Sequence, residues 1–164
     1  CSSDLHRHRP VTVEAIVFSE DHIGFIQKCS EKAYPAEACG LITGTLLGGG
    51  RLVVHQVREA KNILAAERQD RFEVDPATRI QIEKECRRSG LRIVAHFHSH
   101  PDQPAIPSKT DLLRAYEPHL IWVIVGVIGG VISEIKAHRL KKDGDAFVEI
   151  ELIVCKARPD DQLS

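Results

Sequence analysis

The 164 residues predict a single α/β domain, a mixed β-sheet flanked by about three helices. Three observations carry that expectation. Stretches rich in Val and Ile alternate with stretches whose apolar residues recur at helical spacing. One nearly continuous apolar run, Leu120 to Ile128, reads as a strand buried on both faces at the centre of a sheet. The length suits one hydrophobic core, and neither an internal repeat nor a linker divides the chain.

Residues 1–10 are polar and lack periodicity, and are expected to form a loose tail. Val11 to Phe18 predicts the first strand. Ser19 offers an N-cap, and Ile23, Ile26, Cys29 and Ala33 follow at helical spacing until Tyr34-Pro35 stops the helix. Glu37 to Leu47 and Arg51 to Glu59 predict two strands joined by Gly48-Gly49-Gly50, a hairpin signal. Lys61 to Arg71 is polar and reads as loop. Asp75-Pro76 starts the second helix with a capping side chain and a proline at the first helical position, and Gly90 suits its end. Leu91 to Phe97 predicts a strand, and Pro101 to Pro107, with three prolines, a loop. Ser108 and Asp111 resemble a capping box, with Asp in place of Glu, opening a helix to about Tyr116. After Leu120 to Ile128, Gly129-Gly130 turns into Val131 to Leu140, and Asp143-Gly144 turns into Phe147 to Val154. The domain is expected to span residues 11–154, with a second tail over 155–164.

Composition narrows the function. Lys plus Arg number 22 and Asp plus Glu 23, a net charge of -1, so no basic surface argues for nucleic acid or an anionic membrane. The longest apolar run, Leu120 to Ile132, has 13 residues, too few to span a bilayer. No apolar signal segment opens the sequence. Five cysteines are scattered without CxxC spacing, which argues against a disulfide scaffold and fits a reducing cytoplasm.

The chemistry concentrates in residues 96–111, HFHSHPDQPAIPSKTD. His98 and His100 lie two apart at a strand end. Side chains alternate along a strand, so both imidazoles point the same way, about 7 Å apart along the backbone. Asp111 lies one turn into the next helix, where side chains tilt back toward the N-terminus. Two His and one Asp make a three-ligand zinc site with a fourth position left for water, the layout of catalytic rather than structural zinc. Other divalent metals also accept such ligands. Hydrolysis further needs a carboxylate to take a proton from water and pass it to the leaving amine. Composition alone does not choose that carboxylate among the chain's acids.

These residues resemble the JAMM (MPN+) metalloproteases. That family's motif is an upstream Glu, then His-Ser-His or His-Thr-His, seven residues, and Ser-x-x-Asp. Here stand Glu37, His98-Ser99-His100, seven residues from Pro101 to Pro107, and Ser108-Lys109-Thr110-Asp111. The segments YPAEACGLITG and FEVDP are similar to those of small bacterial and archaeal members, and the likeness covers roughly residues 11–140. It implies a single MPN (JAMM) domain, cytidine-deaminase-like in its sheet-and-helix architecture. It implies that His98, His100 and Asp111 hold one Zn2+. It implies that Glu37 is the general acid/base, and that Ser108 steadies the oxyanion of the tetrahedral intermediate. The implied activity is a zinc peptidase or isopeptidase acting at or near the C-terminus of a ubiquitin-like protein. For a small prokaryotic type, the substrate class is a ubiquitin-like sulfur-carrier protein. An extended tail would suit a groove beside a sheet edge, where strand pairing adds affinity. The alternatives are a deubiquitinase-like isopeptidase on conjugated ubiquitin-like proteins and a non-catalytic MPN scaffold, although scaffolds lack motif residues and this chain lacks none. A zinc deaminase expects H-x-E and P-C-x-x-C, and no CxxC is present.

Other candidates read more plainly. His96 shares strand parity with His98 but lies outside the motif, and is expected to be packed or hydrogen-bonded. Cys39 shares parity with Glu37 and is expected to be a buried, inert thiol. Lys84 to Arg88 reads as a solvated helix face. His6-Arg7-His8 has the spacing of His98 and His100 without an acidic partner at the matching interval, and reads as solvated. The sequence sets no oligomeric state.

Overall fold

A computed structural model describes residues 11–65 and 72–156; the expected N-terminal tail at 1–10, with His6 and His8, all but the first two residues of the expected tail at 155–164, and most of the Lys61 to Arg71 loop lie outside them. In chain order the elements are β1 (Ala15–Ser19), α1 (Glu20–Ala33), β2 (Cys39–Leu47), β3 (Arg51–Ala60), α2 (Pro76–Ser89), β4 (Arg92–Pro101), α3 (Lys109–Leu113), β5 (Ile121–Ile128), β6 (Val131–Leu140) and β7 (Phe147–Cys155).

Local chemistry accounts for most of these boundaries. At α1, the Ser19 hydroxyl accepts from the His22 amide while His22 Nδ1 accepts from the Ser19 amide, so two of the helix's orphan donors are satisfied. Asp75 caps α2 with Pro76 inside the first turn, and Gly90, at φ 71°, closes it in the left-handed region. Gly48–Gly50 forms a short 3-10 turn between β2 and β3.

The strands run β1-β3-β2-β4-β5-β6-β7, and β7 returns to pair with β1 in parallel, closing a barrel. The sheet is mixed, as expected, with β4 and β5 parallel and β5, β6 and β7 antiparallel. Closure itself was not expected. It pairs the two terminal strands of the order with each other, so a strand-adding tail would use a stretch that is paired on one side only. Such stretches include β3 beyond Val53 on its β1 side and β6 before Ala137 on its β7 side.

The two faces of the sheet have different jobs. Inside, Ile26 and Cys29 of α1 pack with Ile16, Phe18, Phe97, Val123, Val125 and Ala137 to form the main core. Outside, Ile82 and Cys86 of α2 pack on Leu41 of β2. Phe97 points into the core, so His96, His98 and His100 face outward, beside α2.

Several expected boundaries shift; β1, for one, begins at Ala15 rather than Val11. Pro101 is the last residue of β4, pairing with Val127. A strand's final residue needs no further ladder donor, so proline is tolerated there. β2 begins at Cys39, which leaves Glu37 just before the strand. α3 stops at Leu113 rather than near Tyr116. There Arg114 donates to the Phe72 carbonyl (2.6 Å) and Glu117 pairs with Arg79 (2.6 Å), so tertiary contacts take the chain away from the helix.

Gly40 marks the tightest approach in the sheet. An added Cβ would overlap the Phe97 ring and the Arg58 carbonyl, and neither can retreat from a paired strand. Gly40→Ala is expected to cost about 1–3 kcal/mol by overpacking. A urea midpoint equal to that of the parent would contradict this. Among the described residues, no helix is long and apolar enough to cross a membrane.

Candidate metal centre

β4 and α3 supply the centre. His98 and His100 lie on β4 between its neighbours, Cys39 of β2 opposite His98 and Gly126 of β5 opposite His100. The Ser108-Asp111 capping box is complete in both directions. The Ser108 hydroxyl accepts from the Asp111 amide (3.0 Å), and the Ser108 amide donates to Asp111 Oδ2 (2.8 Å). The cap thereby also aims the Asp111 carboxylate back at β4.

The three side chains converge. His98 Nε2 and His100 Nε2 are 3.1 Å apart, His100 Nε2 is 3.1 Å from Asp111 Oδ2, and His98 Nε2 is 3.5 Å from Asp111 Oδ1. Bonds of 2.0–2.1 Å at tetrahedral angles place neighbouring ligand atoms roughly 3.3–3.4 Å apart. The observed triangle brackets that edge, so the donor set fits a tetrahedral ion with one corner left over. Glu37, His98 and His100 also form a buried group whose ligand atoms lie within 4.8 Å of one another. Glu37 thus sits beside the triangle, and all four residues are buried.

Outer contacts orient these groups. His100 Nδ1 donates to the Pro104 carbonyl (3.0 Å), which leaves Nε2 as the lone-pair nitrogen facing the triangle. His98 is held by packing instead: Phe72 stacks on its ring at 4.3 Å and Trp122 meets it edge-on at 5.4 Å. The Glu37 segment is tied to β4 by a reciprocal pair, the Ala38 amide donating to Ser99 Oγ (2.8 Å) and the Ser99 amide to the Ala38 carbonyl (3.0 Å). Asn62 Nδ2 donates to the Glu37 carbonyl (2.9 Å).

Residues 19–141 match the family described as prokaryotic homologs of the JAB domain. The chain belongs to this JAB-domain family, and with it to the JAMM proteins. A desampylase of Haloferax volcanii is 31% identical over 120 residues, 73% of this chain and 79% of that relative. A desampylase of Pyrococcus furiosus is 34% identical over 83 residues, 51% of this chain and 56% of that one. A solution structure from Desulfitobacterium hafniense superposes with a TM-score of 0.76 at 28% identity, covering 88% of this chain and 96% of the other. One from Salinibacter ruber gives 0.66 at 30%, covering 87% and 92%.

In this JAB domain the remaining candidates fall away from the triangle. His96 is packed against Trp122 (4.3 Å) and Phe72 (5.5 Å), and burial drives its pKa well below 6.5. Cys39 is a buried thiol in contact with the Ala60 carbonyl (3.6 Å), its pKa pushed up to about 12 by burial first and then by Glu37 and Glu59. Lys84, Arg87 and Arg88 are exposed. Sequence reasoning missed Ser99, Asn62, Pro104 and Phe72. The alternation that turns His98 and His100 outward also turns Ser99 the other way, but its partner lies 61 residues upstream and carries no local signal.

Electrostatics suit a cation. Burial opposes charge on Asp111, yet hydrogen bonds from His100 and His98 outweigh it and hold the carboxyl far below its ordinary value. Burial likewise opposes charge on His100, but Asp111 overcomes it and raises the His100 pKa above 6.5. For His98 burial wins, and its pKa is lowered. In the metal-free protein the raised His100 therefore contributes stability that is complete below about pH 6.5 and lost as pH rises through its folded value. The depressed Asp111 contributes stability above its ordinary value, lost only as pH falls through the folded one. A metal competes with the His100 proton, so affinity for Zn2+ should weaken as pH falls through the raised His100 value. Chelator competition at several pH values checks this, and a flat profile would contradict it.

Proposed function

We propose that the protein is a JAMM-type zinc hydrolase that cleaves a peptide or isopeptide bond at or near the C-terminus of a ubiquitin-like protein. The observation that carries this reading is the tetrahedral-sized triangle of His98, His100 and Asp111 with the Glu37 carboxylate beside it. The desampylase relatives support an isopeptidase acting on a ubiquitin-like protein.

Zinc, when bound, acidifies water and polarises a carbonyl. The chain's own residues do the rest. Glu37, buried and held by Asn62 and Ser99 through its backbone and its neighbour's, takes the proton from the attacking water and returns it to the leaving amine. The Ser108 hydroxyl accepts from the Asp111 amide and keeps its own O–H to donate toward the developing oxyanion. A cavity of about 350 Å³ is bordered by Phe72, His96, Arg79, Arg114, Tyr116 and Trp122, of which Phe72 stacks on the His98 ring, and it suits a substrate side chain.

Within this reading we favour a ubiquitin-like sulfur carrier whose C-terminal extension is trimmed, in a reducing cytoplasm where the thiols of Cys29, Cys39, Cys86 and Cys155 persist. The test is mass spectrometry after incubation with ubiquitin-like proteins that carry either a C-terminal extension or an isopeptide-linked partner, with and without chelator. Chelator-sensitive trimming supports the processing role. Cleavage of the isopeptide alone shifts the substrate to conjugates. Metal-loaded protein that cleaves neither supports a scaffold.

A further inference from the structure

We propose that Glu134 is the outer partner of His100, acting on it through the Pro104–Ala105 peptide group, and that His138 clamps the same strap one carbonyl further on. This rests on His100 being a metal ligand. The strap runs from Asp102 to Pro107 across the outer face of β5 and β6. His100 Nδ1 donates to the Pro104 carbonyl (3.0 Å), and the Ala105 amide donates to Glu134 Oε1 (3.1 Å). Those two groups are the C=O and N–H of one planar peptide. A carboxylate on the N–H polarises that peptide and strengthens its carbonyl as an acceptor, as in hydrogen-bonded chains generally. The arrangement is a carboxylate–histidine pair with a peptide inserted between its members, and such outer carboxylates orient the ring and raise ligand basicity.

The surroundings are built for this path. His138 Nε2 donates to the Ala105 carbonyl (3.0 Å), so β6 holds both polar groups of a residue that is fully buried. Glu134 and His138 are four apart on β6 and face the same way, with Glu134 opposite Gly126 and His138 opposite Trp122. Gly126 in turn lies opposite His100, and a Cβ there would sit 2.6 Å from Ser133 Oγ and 3.2 Å from the Gln103 carbonyl. The strap therefore lies close against Gly126, where a Cβ would crowd it. Asp102, at φ 56°, anchors the near end, accepting from the Gly129 amide (2.8 Å) and the Tyr34 hydroxyl (2.7 Å).

Zn2+ and Co2+ affinities by chelator competition, read beside metal-free melting curves and the visible spectrum of the Co2+ form, test the relay. Glu134→Ala should weaken binding about 10–100-fold, the range for outer-shell partners, and alter the Co2+ spectrum. Glu134→Gln still accepts from Ala105 and should recover part of that loss. Glu149→Ala is the control, because Glu149 pairs with Lys136, as Glu134 does, but does not bond the strap. His138→Phe should weaken binding by loosening the strap. Wild-type protein that binds metal while Glu134→Ala binds it within twofold overturns the relay alone. Equal losses in Glu134→Ala and Glu149→Ala overturn it too, since the effect is then general electrostatics. Wild-type protein that takes up no metal overturns the metal-site reading and the relay together.

Discussion

Glu37→Gln is expected to keep its metal and its fold and to lose hydrolysis by about 10²–10⁴-fold, the usual contribution of a positioned general acid/base. Gln matches Glu in size. The contacts that place this segment run through the Glu37 carbonyl to Asn62 and through Ala38 to Ser99, so they do not depend on the carboxylate. What disappears is the proton shuttle. Metal content and turnover, measured on the same preparation, separate the possible roles. Full turnover by the metal-loaded variant would remove Glu37 from the proton path. Loss of metal along with activity would make Glu37 a ligand, which its position within 4.8 Å of both ring nitrogens keeps testable.

Asp111→Asn is expected to lose more metal affinity than the roughly 10–100-fold that outer-shell changes cost, because it removes the single anionic member of the triangle. The helix should survive, since an Asn side-chain oxygen still accepts from the Ser108 amide and the Ser108 hydroxyl still caps the Asp111 position. A second signature accompanies the loss. Without the Asp111 carboxylate, only the Pro104 hydrogen bond and the Glu37 charge offset the burial of His100, so its pKa in the metal-free protein should fall, readable by NMR titration. Zinc affinity equal to that of the parent would exclude Asp111 from the ligand set, and a collapsed melting curve would show that the carboxylate mainly serves the fold.

Much of the site was legible because its chemistry is short-range. His98 and His100 differ by two on one strand, and Asp111 follows on the next helix, so strand alternation and helix tilt bring them together without knowledge of the rest. The capping box at Ser108 was readable for the same reason. Glu37 was not. It lies 61 residues before His98, and only the family resemblance singled it out from the other acids. The boundaries that moved tell the same story: α3 ends early because Arg114 and Glu117 find partners on Phe72 and Arg79, contacts no local pattern announces.

From its order of residues alone, the chain determined its alternating strands and helices, its helix caps and the three donors that can share an ion. Tertiary structure decided the barrel closure between β1 and β7, the Ser99–Ala38 tie that brings Glu37 to the donors, and the Glu134–Ala105 bond that braces the strap behind His100. The division has a physical cause. Periodicity and capping are set by the stereochemistry of a few neighbouring residues. Pairing across 29 or 61 positions depends on which surfaces the whole chain buries, and the local sequence does not encode that.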